Sequence, residues 1–343
     1  MEEEKMLKFD KEAFIKGIND GLALRSRIEE TIDQIVLEKQ LNDIYFVGIG
    51  GTLASAMQAE TYAAERCSLN IRSLSAAEYN VMNDLRIKND SLFICSSVSG
   101  NTPEMLMMAE KARRRGIRVL AFVDNENTKL EELADYCIIG KKNEQLKFFM
   151  CINYLAYLNG EMDDYEEYNS QLEENLAAGL AETAIRADEE ARNIALAKKA
   201  YLQKHPEMPQ YLIGAGIQYG ATVSHGMCYW EEQLWIRTRV VHAAEFFHGC
   251  FEVIEADTPV ILYMEEGSQR VLSQRVLNFL EKYNHEHIVI DSRDYPLPGI
   301  SEEYRASLSH LIIRTVNDRI DTYLEAYLNH SLQTRRYYRK FDY

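Results

Sequence analysis

The chain has 343 residues, 46% hydrophobic and 27% charged, with a formal net charge of −16. That length supports two domains with a substantial core in each. The acidic balance argues against nucleic acid or an anionic membrane as a partner, because both need a basic footprint. No apolar segment approaches membrane-spanning length, and the amino terminus Met1-Glu2-Glu3-Glu4-Lys5 is acidic with no signal-peptide apolar stretch.

Residues 1–40 read as one or two helices packed outside the domain that follows. Ile44-Tyr45-Phe46-Val47 is a short apolar strand, followed by Gly48-Ile49-Gly50-Gly51-Thr52 and a helix from Leu53 to about Arg66. Three glycines let the backbone approach a ligand closely, and Thr52 supplies a hydroxyl at the helix start. The glycine spacing is not that of the dinucleotide fingerprint, and the turn carries no lysine of the nucleotide-binding kind. Further apolar strands are legible at 70–74, 92–95, 118–123 and 136–139, with helical stretches between them. This alternation predicts an α/β domain over 41–158, a parallel sheet with helices on both faces and ligands beyond the carboxyl ends of its strands.

The strand Leu92–Cys95 breaks into Ser96-Ser97-Val98-Ser99-Gly100-Asn101-Thr102, and a helix opens at Pro103 with Glu104 in its first turn. Proline suits that position because the first helical N–H has no intrahelical partner. The free N–H groups and the positive end of the helix dipole favour an anion there, and three hydroxyls add donors. Taken alone, an ordinary capped strand-to-helix turn is the better explanation of the stretch. Two such turns in one sheet point to a single phosphate held from both sides.

Residues 159–205 are acidic and alanine-rich without strand signal, and read as helices connecting two domains. A second α/β unit is expected over 206–343. It has strands at 211–213, 238–242, 259–264 and 287–291, a helix from Ala221 to Ile236, and a strongly amphipathic helix from Gln269 to Tyr283. It looks like a degenerate second copy of the first domain without the serine-rich loop, so one phosphate site per chain is expected. Its carboxylates Glu231 and Glu232 are adjacent on the helix 221–236, where Trp230 and Trp235 are expected in the core. His248 lies between Phe247 and Gly249, and the glycine implies a turn near a ligand. His225 and His242 are expected to be structural.

The six cysteines include no Cys-x-x-Cys pair, and His285-Glu286-His287 is the one close histidine pair. Reduced thiols in a cytoplasmic protein and no metal site are the expectation.

Ser97-Val98-Ser99-Gly100-Asn101-Thr102 fully matches the phosphate loop of the sugar isomerase (SIS) family, which the chain resembles over roughly residues 40 to 343. The stretch from Asn127 to Asp135 resembles the end of that domain. Glu245-Phe246-Phe247-His248-Gly249 is similar to the Glu-x-x-His-Gly of glucosamine-6-phosphate synthase isomerase domains and of fructosamine 6-phosphate deglycases, and Arg335-Arg336-Tyr337-Tyr338 looks most like the deglycase branch. The resemblance implies two tandem SIS domains of flavodoxin-like α/β fold. It assigns the phosphate to Gly51, Thr52, Ser97, Ser99 and Thr102, with Gly50 and Glu245 as further substrate contacts. A glutamate at the offset of Glu232 from His248 is the family's general base, and the histidine assists ring opening and proton transfer to oxygen.

Two departures are visible. Cys250 stands where the family often has proline after His-Gly. The synthases' carboxy-terminal lysine finds only Arg339 or Lys340 near its place, and arginine is a poor proton shuttle. The expected activity is therefore cleavage of a 6-phosphorylated glycated amine, such as fructoselysine 6-phosphate, to hexose 6-phosphate and free amine, with no cofactor. The alternatives are an aldose–ketose or aminating isomerase and, third, a non-catalytic phosphosugar sensor. Members of the family form homodimers in which base and histidine come from different subunits, so a shared site is implied.

Overall fold

Apolar runs bounded by turn residues become nine strands among the described residues, and all of them pair in parallel. The computed structural model describes residues 6–38, 40–338 and 340; the amino-terminal residues 1–5 and Arg339 lie outside the described residues. In chain order the elements begin α1 (Lys11–Leu22), α2 (Arg25–Glu38), β1 (Asp43–Gly48), α3 (Gly51–Arg66), β2 (Asn70–Ser75) and α4 (Ala76–Val81). Next come β3 (Ser91–Ser97), α5 (Pro103–Arg114), β4 (Arg118–Val123), α6 (Lys129–Leu133), β5 (Tyr136–Ile139), α7 (Glu144–Leu158) and α8 (Tyr165–Lys204). They continue as β6 (Gln210–Gly214), α9 (Gly216–Ser224), a π-helix (His225–Leu234), β7 (Thr238–His242), β8 (Val260–Met264), α10 (Arg270–Tyr283), β9 (His287–Asp291) and α11 (Glu302–Tyr327). Short 3-10 turns lie at Ala243–Glu245, Cys250–Val253 and Ser292–Asp294.

The chain divides into two compact units, Ile15–Ala177 and Met1–Phe14 with Ala178–Tyr343. In the first, the strand order is β2-β1-β3-β4-β5, the flavodoxin-like order. The chain leaves β1 toward one side for β2 and returns on the other for β3. The crevice at that reversal, beyond Gly48 and Ser97, is where such sheets bind ligands. β3 is buried at every position, as a central strand covered on both faces must be. One face packs Tyr45, Val47, Tyr79 and Phe93 into the core; on the other, Phe46 and Phe122 meet Phe148 of α7.

The second unit has the order β7-β6-β8-β9. Numbered from its own first strand, that repeats the first sheet's order without a fifth strand. This agrees with the tandem α/β architecture expected from sequence. Its core joins Ile213, Phe246, Leu262, Val276 and Leu280, and α11 carries a long buried face that includes Ile312, Ile313, Ile320 and Leu324.

Two elements differ from expectation. The connector is not several helices but the single helix α8, of 40 residues. Gly179 lies within it, where a side chain would meet Leu297 Cδ2 at 2.9 Å; the glycine is the packing contact. The helix expected over 221–236 is α-helical only to Ser224 and π-helical from His225 to Leu234. No helix among the described residues is long and apolar enough to cross a membrane.

Candidate phosphate cradle and carboxylate cleft

In the first unit the β1 turn folds tightly because Gly48 has no side chain: a Cβ there would lie 2.4 Å from the Leu53 nitrogen. Gly50 adopts φ 58°, a conformation glycine takes without steric cost. The Thr52 hydroxyl closes the turn on itself, accepting from the Ile49 N–H and donating to the Ile49 carbonyl, each at 3.0 Å. Gly51 starts α3, whose N-cap is Gly50, with no side chain capping it.

The β3 loop has the same design. Ser97 is buried at the strand end, and its hydroxyl lies 3.4 Å from that of Thr102. Ser99 Oγ accepts from the Asn101 N–H. Gly100, at φ 59°, turns the chain where a Cβ would stand 2.4 Å from Thr128 Cβ. Its carbonyl accepts from Leu130 N. Thr102 is the N-cap of α5, yet its side chain makes no capping bond.

α4 is capped by Ser75, and α6 by a full capping box of Thr128 and Glu131. The two helices opening at the crevice, α3 and α5, have no side-chain cap, and neither has α7. The first-turn N–H groups of α3 and α5 and the Ser99 and Thr102 hydroxyls form a cradle of neutral donors suited to an anion.

The second unit presents a separate site. Glu232, on the π-helix, lies in a cleft of about 840 Å³ whose lining includes Pro206, Glu207, Trp235, Arg237 and Arg335. Arg335 Nε donates to Glu232 Oε1 at 2.8 Å, and Arg335 Nη1 is held by the carbonyls of Leu332 and Thr334. The segment therefore straps over the carboxylate. Trp235 ends the π-helix at φ 60° and ψ 27°, a left-handed conformation rare for a bulky residue. It does not enter the core as expected; its ring takes the Arg336 guanidinium at 3.9 Å and lines the cleft. Trp230 is fully buried. Glu231 also lines the cleft, but one of its oxygens is engaged, accepting from the Thr238 N–H and hydroxyl at 3.2 and 2.6 Å.

His248 is not among the residues lining this cleft. The cleft is bounded by residues just before β6 and β7 (Pro206, Glu207, Arg237), whereas His248 and Glu245 follow the carboxyl end of β7 and are exposed. A five-residue strand spans roughly 15 Å. The His248 N–H bonds the Glu245 carbonyl at 3.0 Å, and Gly249 turns the chain at φ 133°. Cys250 is buried in the 3-10 turn behind it. His242 Nδ1 accepts from Ala244 N, and burial holds its pKa below the usual histidine value against the opposing pull of Glu245. His225 is sealed between Tyr263 and Asp321.

Sequence reasoning did not single out Asp321, and Arg335 entered only as part of a tail resemblance. Nothing in the local sequence distinguishes Asp321 from other acids on α11. Among the described residues no His/Cys/Asp/Glu cluster could hold a metal.

Residues 39–158 match the SIS domain model, so the first sheet and its cradle form an SIS domain. The chain is 29% identical to the fructosamine deglycase FrlB of Bacillus subtilis (strain 168), over 89% of this chain and 94% of that protein. It is 22% identical to the fructoselysine 6-phosphate deglycase of Escherichia coli (strain K12), over 95% and 94%. Among solved structures, a Bacillus subtilis protein provisionally described as a phosphosugar isomerase superposes with a TM-score of 0.84 at 26% identity, covering 92% of this chain and 97% of that one.

Proposed function

We propose that this SIS-domain chain is a deglycase that cleaves a 6-phosphorylated ketosamine, such as fructoselysine 6-phosphate, into hexose 6-phosphate and free amine. The observation that carries the reading is the alignment with a deglycase along almost its whole length. The uncapped starts of α3 and α5 support the phosphate half of it.

In this reading Gly51, Thr52, Ser97, Ser99 and Thr102 hold the phosphate, with Gly50 and Glu245 in further contact with substrate. Glu232 removes a proton from C1 of the open-chain ketosamine and returns one to C2, while the C2 oxygen gains a proton and the nitrogen gives up its own. The product is the C1 imine. Water adds to C1, and the resulting carbinolamine expels the amine and leaves an aldehyde. His248 carries protons to and from the sugar oxygens during ring opening. No cofactor is invoked, because the C2 carbonyl accepts the electron pair released at C1. Arg335 occupies one oxygen of Glu232 and leaves Oε2 for the substrate.

Glu232 and His248 flank opposite ends of β7, and this favours a homodimer in which each site takes its base from one subunit and its histidine from the other. Purified protein incubated with fructoselysine 6-phosphate should release lysine and glucose 6-phosphate in equal amounts. Release of neither, with rapid interconversion of fructose and glucose 6-phosphates, would replace this reading with an isomerase.

A further inference from the structure

Ten residues of π-helix are an unusual element, because the i→i+5 geometry appears mostly as single-turn bulges within α-helices and often at functional sites. This one is held from inside and outside. Inside, Asp321 of α11 accepts from Trp230 Nε1 at 2.8 Å, and both its oxygens lie 3.1 Å from His225 Nε2. The other ring nitrogen of His225 lies 2.8 Å from the Tyr263 hydroxyl on β8. His225, Trp230 and Asp321 are each 2% exposed or less, so water does not compete for these bonds. Outside, Glu231 is tied to Thr238, and Ile236 N reaches back to the Trp230 carbonyl at 2.8 Å.

Neighbouring carboxylates of the cleft thus have different partners: Glu231 closes onto Thr238 of β7, and Glu232 pairs with Arg335. A slip of one residue turns a helical segment by about 100°, which would send Glu231 or Gln233 in the direction Glu232 now takes. We propose that Asp321, acting through His225 and Trp230, is a positioning residue that pins the π register and so selects Glu232 over Glu231 as the carboxylate paired with Arg335 and presented to substrate. The proposal rests on Glu232 being the base.

The test is a double-mutant cycle on the full chain, assayed for lysine released from fructoselysine 6-phosphate. Asp321→Ala should lower kcat at least about tenfold, with KM and glucose 6-phosphate affinity within about threefold of wild type. Asp321→Asn should recover most of kcat. Its amide oxygen still accepts from Trp230, and its amide NH₂ can donate to the other His225 tautomer. In a Glu232→Gln background, Asp321→Ala should cause no further loss, because its effect passes through that carboxylate. A folded Asp321→Ala enzyme with wild-type kcat, or an equal loss in the Glu232→Gln background, overturns the proposal alone. If Asp321→Ala does not fold, Trp230→Phe replaces it in the same cycle, removing the donor while keeping the ring. Wild-type turnover by Glu232→Gln would remove the base assignment and this proposal together.

Discussion

Arg335 and Glu232 are joined by a 2.8 Å bond between residues that are partly exposed, with side-chain exposures of 18% and 31%. An ion pair this open adds little to stability, typically 1 kcal/mol or less. Its consequence is orientation: one oxygen of the carboxylate is fixed and the other is aimed. Arg335→Ala should therefore leave the melting temperature nearly unchanged while lowering kcat about tenfold. Melting curves beside steady-state kinetics check this, and unchanged kcat would make the pair incidental.

Glu232→Gln keeps the volume and one acceptor but removes the proton acceptor needed at C1. We expect kcat to fall at least about a hundredfold with a modest change in KM. Glu231→Gln, which loosens only the anchor to Thr238, should retain far more activity than Glu232→Gln.

The cradle should respond in binding. Ser99→Ala or Thr102→Ala should weaken glucose 6-phosphate by about 1–3 kcal/mol, the worth of a hydrogen bond to a charged group. Gly100→Ala should be worse than either, since it places a methyl against Thr128 at a positive φ. Calorimetric titration measures all three, and tight binding by Gly100→Ala would show that the loop need not hold its observed shape.

A shared site makes a stoichiometric prediction. Glu232→Gln and His248→Ala homodimers should each be inactive. Random exchange between equal amounts should restore about a quarter of wild-type sites, since half the dimers are mixed and each mixed dimer has one intact site. No recovery after verified exchange would place both groups of each site in one chain.

His310 offers a pH prediction for folding. Burial on α11 pushes its pKa down to about 3. The unfolded chain therefore takes up the proton first, from about pH 6.5. The stability tied to neutral His310 is complete above that pH. It is lost as pH falls toward the folded value, at about 1.4 kcal/mol per pH unit. Denaturation midpoints at pH 7, 6 and 5 should fall more steeply for wild type than for His310→Asn; parallel slopes would contradict the assignment.

The parallel sheets were legible because strands such as Phe93–Cys95 and Leu212–Ile213 are apolar without interruption and end in glycine or hydroxyl turns. The cradle was legible because its loop is local, with Ser97, Ser99 and Thr102 lying within one turn of chain. The π register was not. The residues from His225 to Leu234 fit an α-helix equally well, and what decides between the two is a carboxylate on α11, far along the chain. For the same reason the strap on Glu232 could not be read from Arg335 alone. Nor did the alanine-rich connector reveal that it would run as one helix with Gly179 packed against Leu297.

Neither turn of the cradle contributes a lysine or arginine; its attraction comes from oriented N–H groups and hydroxyls. Short-range donors of that kind are screened far less by dissolved salt than a cluster of cations at a distance would be. Phosphosugar affinity should therefore persist at high sodium chloride yet fall in phosphate or sulfate buffers, whose tetrahedral oxyanions fit the same donors. The choice of buffer, more than its ionic strength, would then set the activity observed at the bench.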